Sequence, residues 1–159
     1  MSASPPLGEV TTALLTLLRG AGHMIFDGAY AGDGDGVGDD DADPIRPPYW
    51  YAILYRIPGG NADTMPDLDD RHQTVTVPYQ CTAVGATRNQ AEAADRILRD
   101  RILERGPTGA WVHDLALPAG WVCCDRQPDP VMAGVDAVGE APSRVFSLPA
   151  RFYLTITPA

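Results

Sequence analysis

From Val75 to Ala83 every second position is apolar or small (Val75, Val77, Tyr79, Cys81, Ala83), while Thr74, Thr76, Gln80 and Thr82 are polar. A period of two is the pattern of a strand with one buried face. The alternation runs out at Gly85, and Thr87 stands three residues before Gln90, the spacing of a capping box that satisfies amides at a helix start. The pattern therefore predicts a long strand turning through Gly85 into a helix, which Gly106-Pro107 closes.

The same reading extends along the chain. Leu7, Val10, Leu14, Leu17 and Leu18 recur at spacings of three and four, predicting an amphipathic helix over 7–20, with Pro5 and Pro6 at its entrance and Gly20 at its end. His23–Gly28 is short and apolar and reads as a brief strand or extended lead-in. Tyr49–Ile57 is rich in aromatic and β-branched residues and reads as a strand. Tyr49, Tyr51, Ile53, Tyr55 and Ile57 fall on one side of it, with Trp50, Ala52, Leu54 and Arg56 on the other. Both sides are largely apolar, so the strand is central or one side is an interface. Trp50, Leu54 and Arg56 are the candidate oligomer-interface residues.

The turn-rich loop Pro58–Asp70 makes Tyr49–Ile57 and Val75–Ala83 antiparallel neighbours, with Ile53 and Val77 expected in the core. At the C-terminus Ala150, Phe152, Leu154 and Ile156 alternate with Arg151, Tyr153, Thr155 and Thr157, a half-buried strand. Trp111–Leu117 and Gly120–Arg126 are short apolar runs, and Pro128–Pro142 reads as a loop with a weak VMAGVDAV centre. The expected fold is α+β: a single domain over 1–159 with a mainly antiparallel sheet and an N-terminal and a central helix packed on one face.

Composition bounds the function. A chain of 159 residues suits one core, and no apolar run approaches the ~20 residues of a bilayer crossing. MSASPPLGEV lacks the basic start and apolar centre of a signal peptide, so a cytoplasmic site of synthesis is expected. All twelve basic residues are arginine, and the net charge of −9 argues against a protein that coats nucleic acid. Three cysteines, Cys81, Cys123 and Cys124, imply no disulfide framework in that setting.

Gly32–Asp43 (GDGDGVGDDDAD) is acidic and low in complexity, and its glycines and mutually repelling carboxylates predict a flexible loop. Asp33, Asp35, Asp39, Asp40, Asp41 and Asp43 are its candidate functional residues, in a mobile or a channel-facing role. A calcium loop needs carboxylates at alternate positions, Gly at the sixth and Glu at the twelfth. Counted from Asp33, Val37 takes the fifth position and Pro44 the twelfth; counted from Asp39, Pro44 replaces the glycine. His23, His72 and His113 lie far apart, and Cys123-Cys124 lacks the gap of a zinc knuckle. The four serines form no nucleophile elbow, and no glycine-rich phosphate loop precedes a helix. On the central helix Glu92–Arg96 and Asp95–Arg99 are expected as i,i+4 pairs of a solvated face. The expectation is therefore of a protein without metal, cofactor or catalytic activity.

The aromatic strand after prolines (PPYWYAILYRIPGG), the strand–Gly–helix unit (TVTVPYQCTAVGATRNQAEAADRILRDRILER) and the closing FYLTITPA resemble, in that order, the small tail terminator proteins of long-tailed actinobacterial phages. The resemblance implies a structural virion protein, assembled in the host cytoplasm, that forms a ring of six copies at the head-proximal end of the tail tube. It implies that the ring stops tube polymerisation and joins the head, with itself, the tail tube protein and a head-completion or neck protein as partners. DNA would pass through without specific binding, helped by like charge on the channel wall. Another neck or head-completion connector shares this size and composition. A small calcium-binding or hydrolytic protein using the acidic loop is the alternative of a different class.

Overall fold

The computed structural model describes residues 7–22, 24–28, 50–58, 74–131, 134–140 and 144–159. Helix α1 spans Leu7–Arg19 and buries Val10, Ala13, Leu14, Leu15, Leu17 and Leu18, the stripe its three-and-four spacing lays on one side. Helix α2 spans Arg88–Leu103. Thr87 is its N-cap in extended conformation, with the Gln90 amide donating to the Thr87 hydroxyl at 3.3 Å and the Thr87 amide donating to the Gln90 side chain at 3.1 Å. The capping box is thus complete. α2 stops at Leu103, before Gly106-Pro107, because Glu104 turns extended and Arg105 pairs with Trp111 in an isolated bridge.

The strands are β1 (Met24–Asp27), β2 (Trp50–Arg56), β3 (Val75–Gly85), β4 (Trp121–Pro128), β5 (Asp136–Val138) and β6 (Val145–Pro158). They form one sheet in the order β1-β2-β3-β6-β4, with β5 pairing the first part of β6. Only β1–β2 is parallel; β2–β3, β3–β6, β4–β6 and β5–β6 are antiparallel. The expected β2–β3 pairing is present, with Leu54 opposite Cys81 and Ala52 opposite Ala83. Tyr49 lies outside the described residues.

Both helices pack on the same face of the sheet. The core they enclose takes alternate residues from four strands: Ile25; Ala52 and Leu54; Val77, Tyr79, Cys81 and Ala83; and Ala150, Phe152, Leu154 and Ile156. α2 adds Ala91, Ala94, Leu98 and Ile102. The Tyr79 hydroxyl, carried inward by this alternation, meets Thr11 Oγ1 of α1 at 2.9 Å, so its one polar atom is satisfied. Gly85 lets the strand turn tightly into α2, since a Cβ there would lie 2.7 Å from the Ala91 amide nitrogen. Among the described residues no helix is long and apolar enough to cross a membrane.

The arginines do much of the stitching. Arg19 donates Nε and Nη2 to the Ile25 carbonyl, and Arg101 donates Nε to the Leu17 carbonyl at 3.0 Å. Arg126 is 5% exposed and donates Nη1 to the carbonyls of Ile102 and His113. The guanidinium groups of Arg105 and Arg126 both lie over the ring of Trp111, 3.7 and 4.8 Å from its centroid. On α2 the Asp95–Arg99 pair is present at 2.7 Å, but Asp95 is 8% exposed, so this pair is part of the packing rather than of a solvated face. Glu92 pairs with Arg88 at 2.9 Å rather than with Arg96.

Candidate interaction surface

The residues that alternate with the core residues line the opposite face of the sheet, away from both helices. Strand register sets them in rows. Phe26, Ile53, Thr82 and Pro149 stand side by side; Tyr55, Gln80 and Arg151 form the next row; Pro78, Tyr153 and Gln127 follow; then come Thr76, Thr155 and Asp125. Most of these side chains are half-buried rather than sealed. The β1–β2 end is aromatic and aliphatic, with Phe26 and Tyr51 in edge-to-face contact at 5.9 Å. Towards β3 and β6 the face is lined by neutral polar groups. The Thr76 and Thr155 hydroxyls lie 3.2 Å apart, Gln80 Nε2 donates to Thr82 Oγ1 at 3.2 Å, and Arg151 Nε donates to Gln80 Oε1 at 3.4 Å.

Among the described residues, carboxylates on this face stand at its β4–β5 edge: Asp136 of β5 is exposed opposite Ser147, and the two at β4 are engaged. Asp125 accepts from Gln127 Nε2 at 2.6 Å and from Arg105 Nη2 at 3.3 Å, while Asp129 accepts from the Tyr153 hydroxyl at 3.3 Å and from the Val131 amide at 2.9 Å. A broad face of tyrosine, isoleucine, threonine and a single arginine, with its acids held at the edge, has the make-up of a protein-contact surface.

The interface residues expected from the sequence are not on it. Leu54 is fully buried in the core between sheet and helices, which corrects its assignment as an interface residue. Trp50 packs partly buried against the same core, and Arg56 is exposed at the end of β2. The cause is that both sides of β2 are apolar, so alternation defines two faces without saying which one the helices cover. Ile53, expected in the core, lies half-buried on the helix-free face, whereas Val77 is core as expected. The signal that locates the open face is on β6: Arg151, Tyr153 and Thr155 are too polar to face the core, and the register carries that face across to Tyr55 and Ile53. The candidate acidic residues Asp33, Asp35, Asp39, Asp40, Asp41 and Asp43 lie outside the described residues.

Elsewhere the reactive side chains are dispersed. Among the described residues no three of His, Cys, Asp and Glu converge as metal ligands would. His113 faces Arg101 Nη1 at 3.1 Å from Nδ1, and its Nε2 lies 3.8 Å from Glu104. Cys81 is buried, Cys123 half-buried and Cys124 exposed, so the two neighbouring cysteines are not both interior. Burial pushes the Cys81 thiol up to about 12 and also raises Cys123 and the Tyr79 hydroxyl. Such thiols stay protonated and are poor nucleophiles. No protein-family model matches the chain, and no curated protein is significantly similar to it.

Proposed function

We propose that the chain is a structural virion protein that assembles with copies of itself into a ring at the head-proximal end of a phage tail tube. In this role it ends tube polymerisation and presents the surface that joins the head, and it acts without catalysis or a cofactor. The observation that carries the reading is the division of the sheet: one face holds the helices and the core, and the other offers a broad tyrosine-, isoleucine- and threonine-lined surface. A chain of this size with such a surface suits assembly rather than turnover.

Two further features agree with it. The order of elements, helix, aromatic strand, strand–Gly–helix and closing strand, is the order that carries the resemblance to tail terminators. The net charge of −9 suits a ring through which DNA passes without adhering. The partners on this reading are further copies of the chain, in a ring of six, the tail tube protein and a neck protein, and the location is the virion tail. Deleting the gene tests it. Overlong or irregular tails unattached to heads are expected, and tails of normal length joined to filled heads would overturn the proposal. Co-purification with heads rather than with tail tubes would move the protein to the neck.

A further inference from the structure

We propose that the helix-free face, centred on Tyr55, Gln80 and Arg151, is the surface on which a second copy of this chain docks. The assignment rests on the self-assembling role proposed above and adds which surface carries it.

Charge points to the occupant. From β1 to β6 the rows of this face hold a single charged residue, Arg151, in their middle. Its guanidinium is hydrogen-bonded to the neutral side chain of Gln80 and has no ion-pair partner among the described residues. Asp129 pairs with Arg151 through the backbone, yet turns its carboxylate to Tyr153 and to the Val131 amide. Covering the face therefore takes an apolar surface that brings a carboxylate for Arg151, because a buried cation without one is costly. A copy of this chain brings such a surface at β5, where the exposed Val138 stands between the exposed Asp136 and Glu140 along the chain.

Area sets the strength. Strands of 4, 7, 11, 14 and 8 residues, at about 3.3 Å per residue and about 4.8 Å apart, give a patch of about 700 Å². A lasting two-body complex covers about 800 Å² on each partner. The face thus gives a contact that is weak between free copies and strengthened when a template or a ring aligns them.

The chain has no lysine, so amine cross-linkers do not suit it. The test is p-benzoylphenylalanine in place of Tyr55, irradiated over micromolar to millimolar protein, with sedimentation equilibrium on the unmodified chain and on Arg151→Glu and Ile53→Arg. Expected are chain-to-chain adducts that increase with concentration, an association that weakens as salt is raised, and an association constant at least tenfold lower in both variants. Circular dichroism matching the parent shows that the variants are folded. Adducts confined within one chain would mean that the protein covers this face itself, and would overturn the proposal. Monomers up to millimolar concentration, or association that neither substitution alters, would overturn it as well. In each of these cases the deletion phenotype still decides the ring on its own, since copies can assemble through another surface.

Discussion

Arg101 of α2 donates its Nε–H to the carbonyl of Leu17 in the last turn of α1, at 3.0 Å, so a single side chain ties the two helices together. That carbonyl is among the last four of its helix, which lack intrahelical donors, and a cation there also opposes the negative end of the helix. Gly20 makes the approach possible: a Cβ at that position would collide with Arg101 Nη2.

Gly20→Ala is therefore expected to destabilise the fold by about 1 kcal/mol through loss of this hydrogen bond, since the arginine tip can swing clear of the clash. Paired with Arg101→Ala, the two losses should be far from additive, because both remove the same contact. Urea unfolding of the four proteins measures this. Additive losses would show that Gly20 acts independently of Arg101.

A contrast between the sheet faces follows from the register. Val77 is 3% exposed among core residues, so Val77→Asp buries an unpaired charge and should cost roughly 3–5 kcal/mol. Ile53 faces the other way and is half-buried, so Ile53→Asp should cost only about 1 kcal/mol. Equal losses in denaturant melts would place Ile53 in the core after all.

The helix start gives a third outcome. Thr87→Ala removes the hydroxyl that accepts the Gln90 amide and leaves only the other half of the box, the backbone N–H of position 87 donating to Gln90 Oε1, at a cost of about 1 kcal/mol. Thr87→Ser should recover most of it, as its hydroxyl can take the same place. If Ser proved no better than Ala in thermal melts, the box would not contribute.

These elements also mark what was legible beforehand. β3, the capping box and the buried half of β6 were readable because each follows one unbroken period. β4 was not. A register shift between Cys123 and Asp125 breaks its alternation, so that Cys123 faces Ile156 and Arg126, three positions on, faces Leu154. A charged residue turned inward behind a bulge defeats any count by twos. On β2 alone the open face was legible only as one of two, because Leu54 and Ile53 are equally apolar; it takes the register through β3 to the polar residues of β6 to separate them.

Cys81 predicts a loss of stability at high pH. Its burial favours the neutral thiol, raising it from 9.0 in the unfolded chain to about 12 in the fold. The folded state thus holds a proton that the unfolded state gives up. The stabilisation is complete below pH 9 and is lost as pH rises towards about 12, at about 1.4 kcal/mol per pH unit over that window. Tyr79 is raised in the same direction and adds to the loss. Cys81→Ala should flatten the alkaline part of the curve of unfolding free energy against pH, whatever it costs at pH 7. An unchanged slope would rule Cys81 out as the source.

Arg126 sets the last test, because its buried guanidinium is answered by backbone carbonyls and, among the described residues, not by a carboxylate. Nη1 bonds the Ile102 and His113 carbonyls at 3.1 and 2.9 Å, the group stacks on Trp111, and the buried Nε has no hydrogen-bond partner. Arg126→Ala empties this volume and strips a helix-end carbonyl of its donor, which should cost about 3 kcal/mol. Arg126→Met keeps most of the volume and removes the unsatisfied Nε, so it should cost less than half as much. Trp111 fluorescence, read against Trp50 and Trp121 by substitution of those two, reports whether the stack survives. If Met is as damaging as Ala, the two carbonyl bonds and not the packing hold the segment from Arg105 to Leu117 against β4.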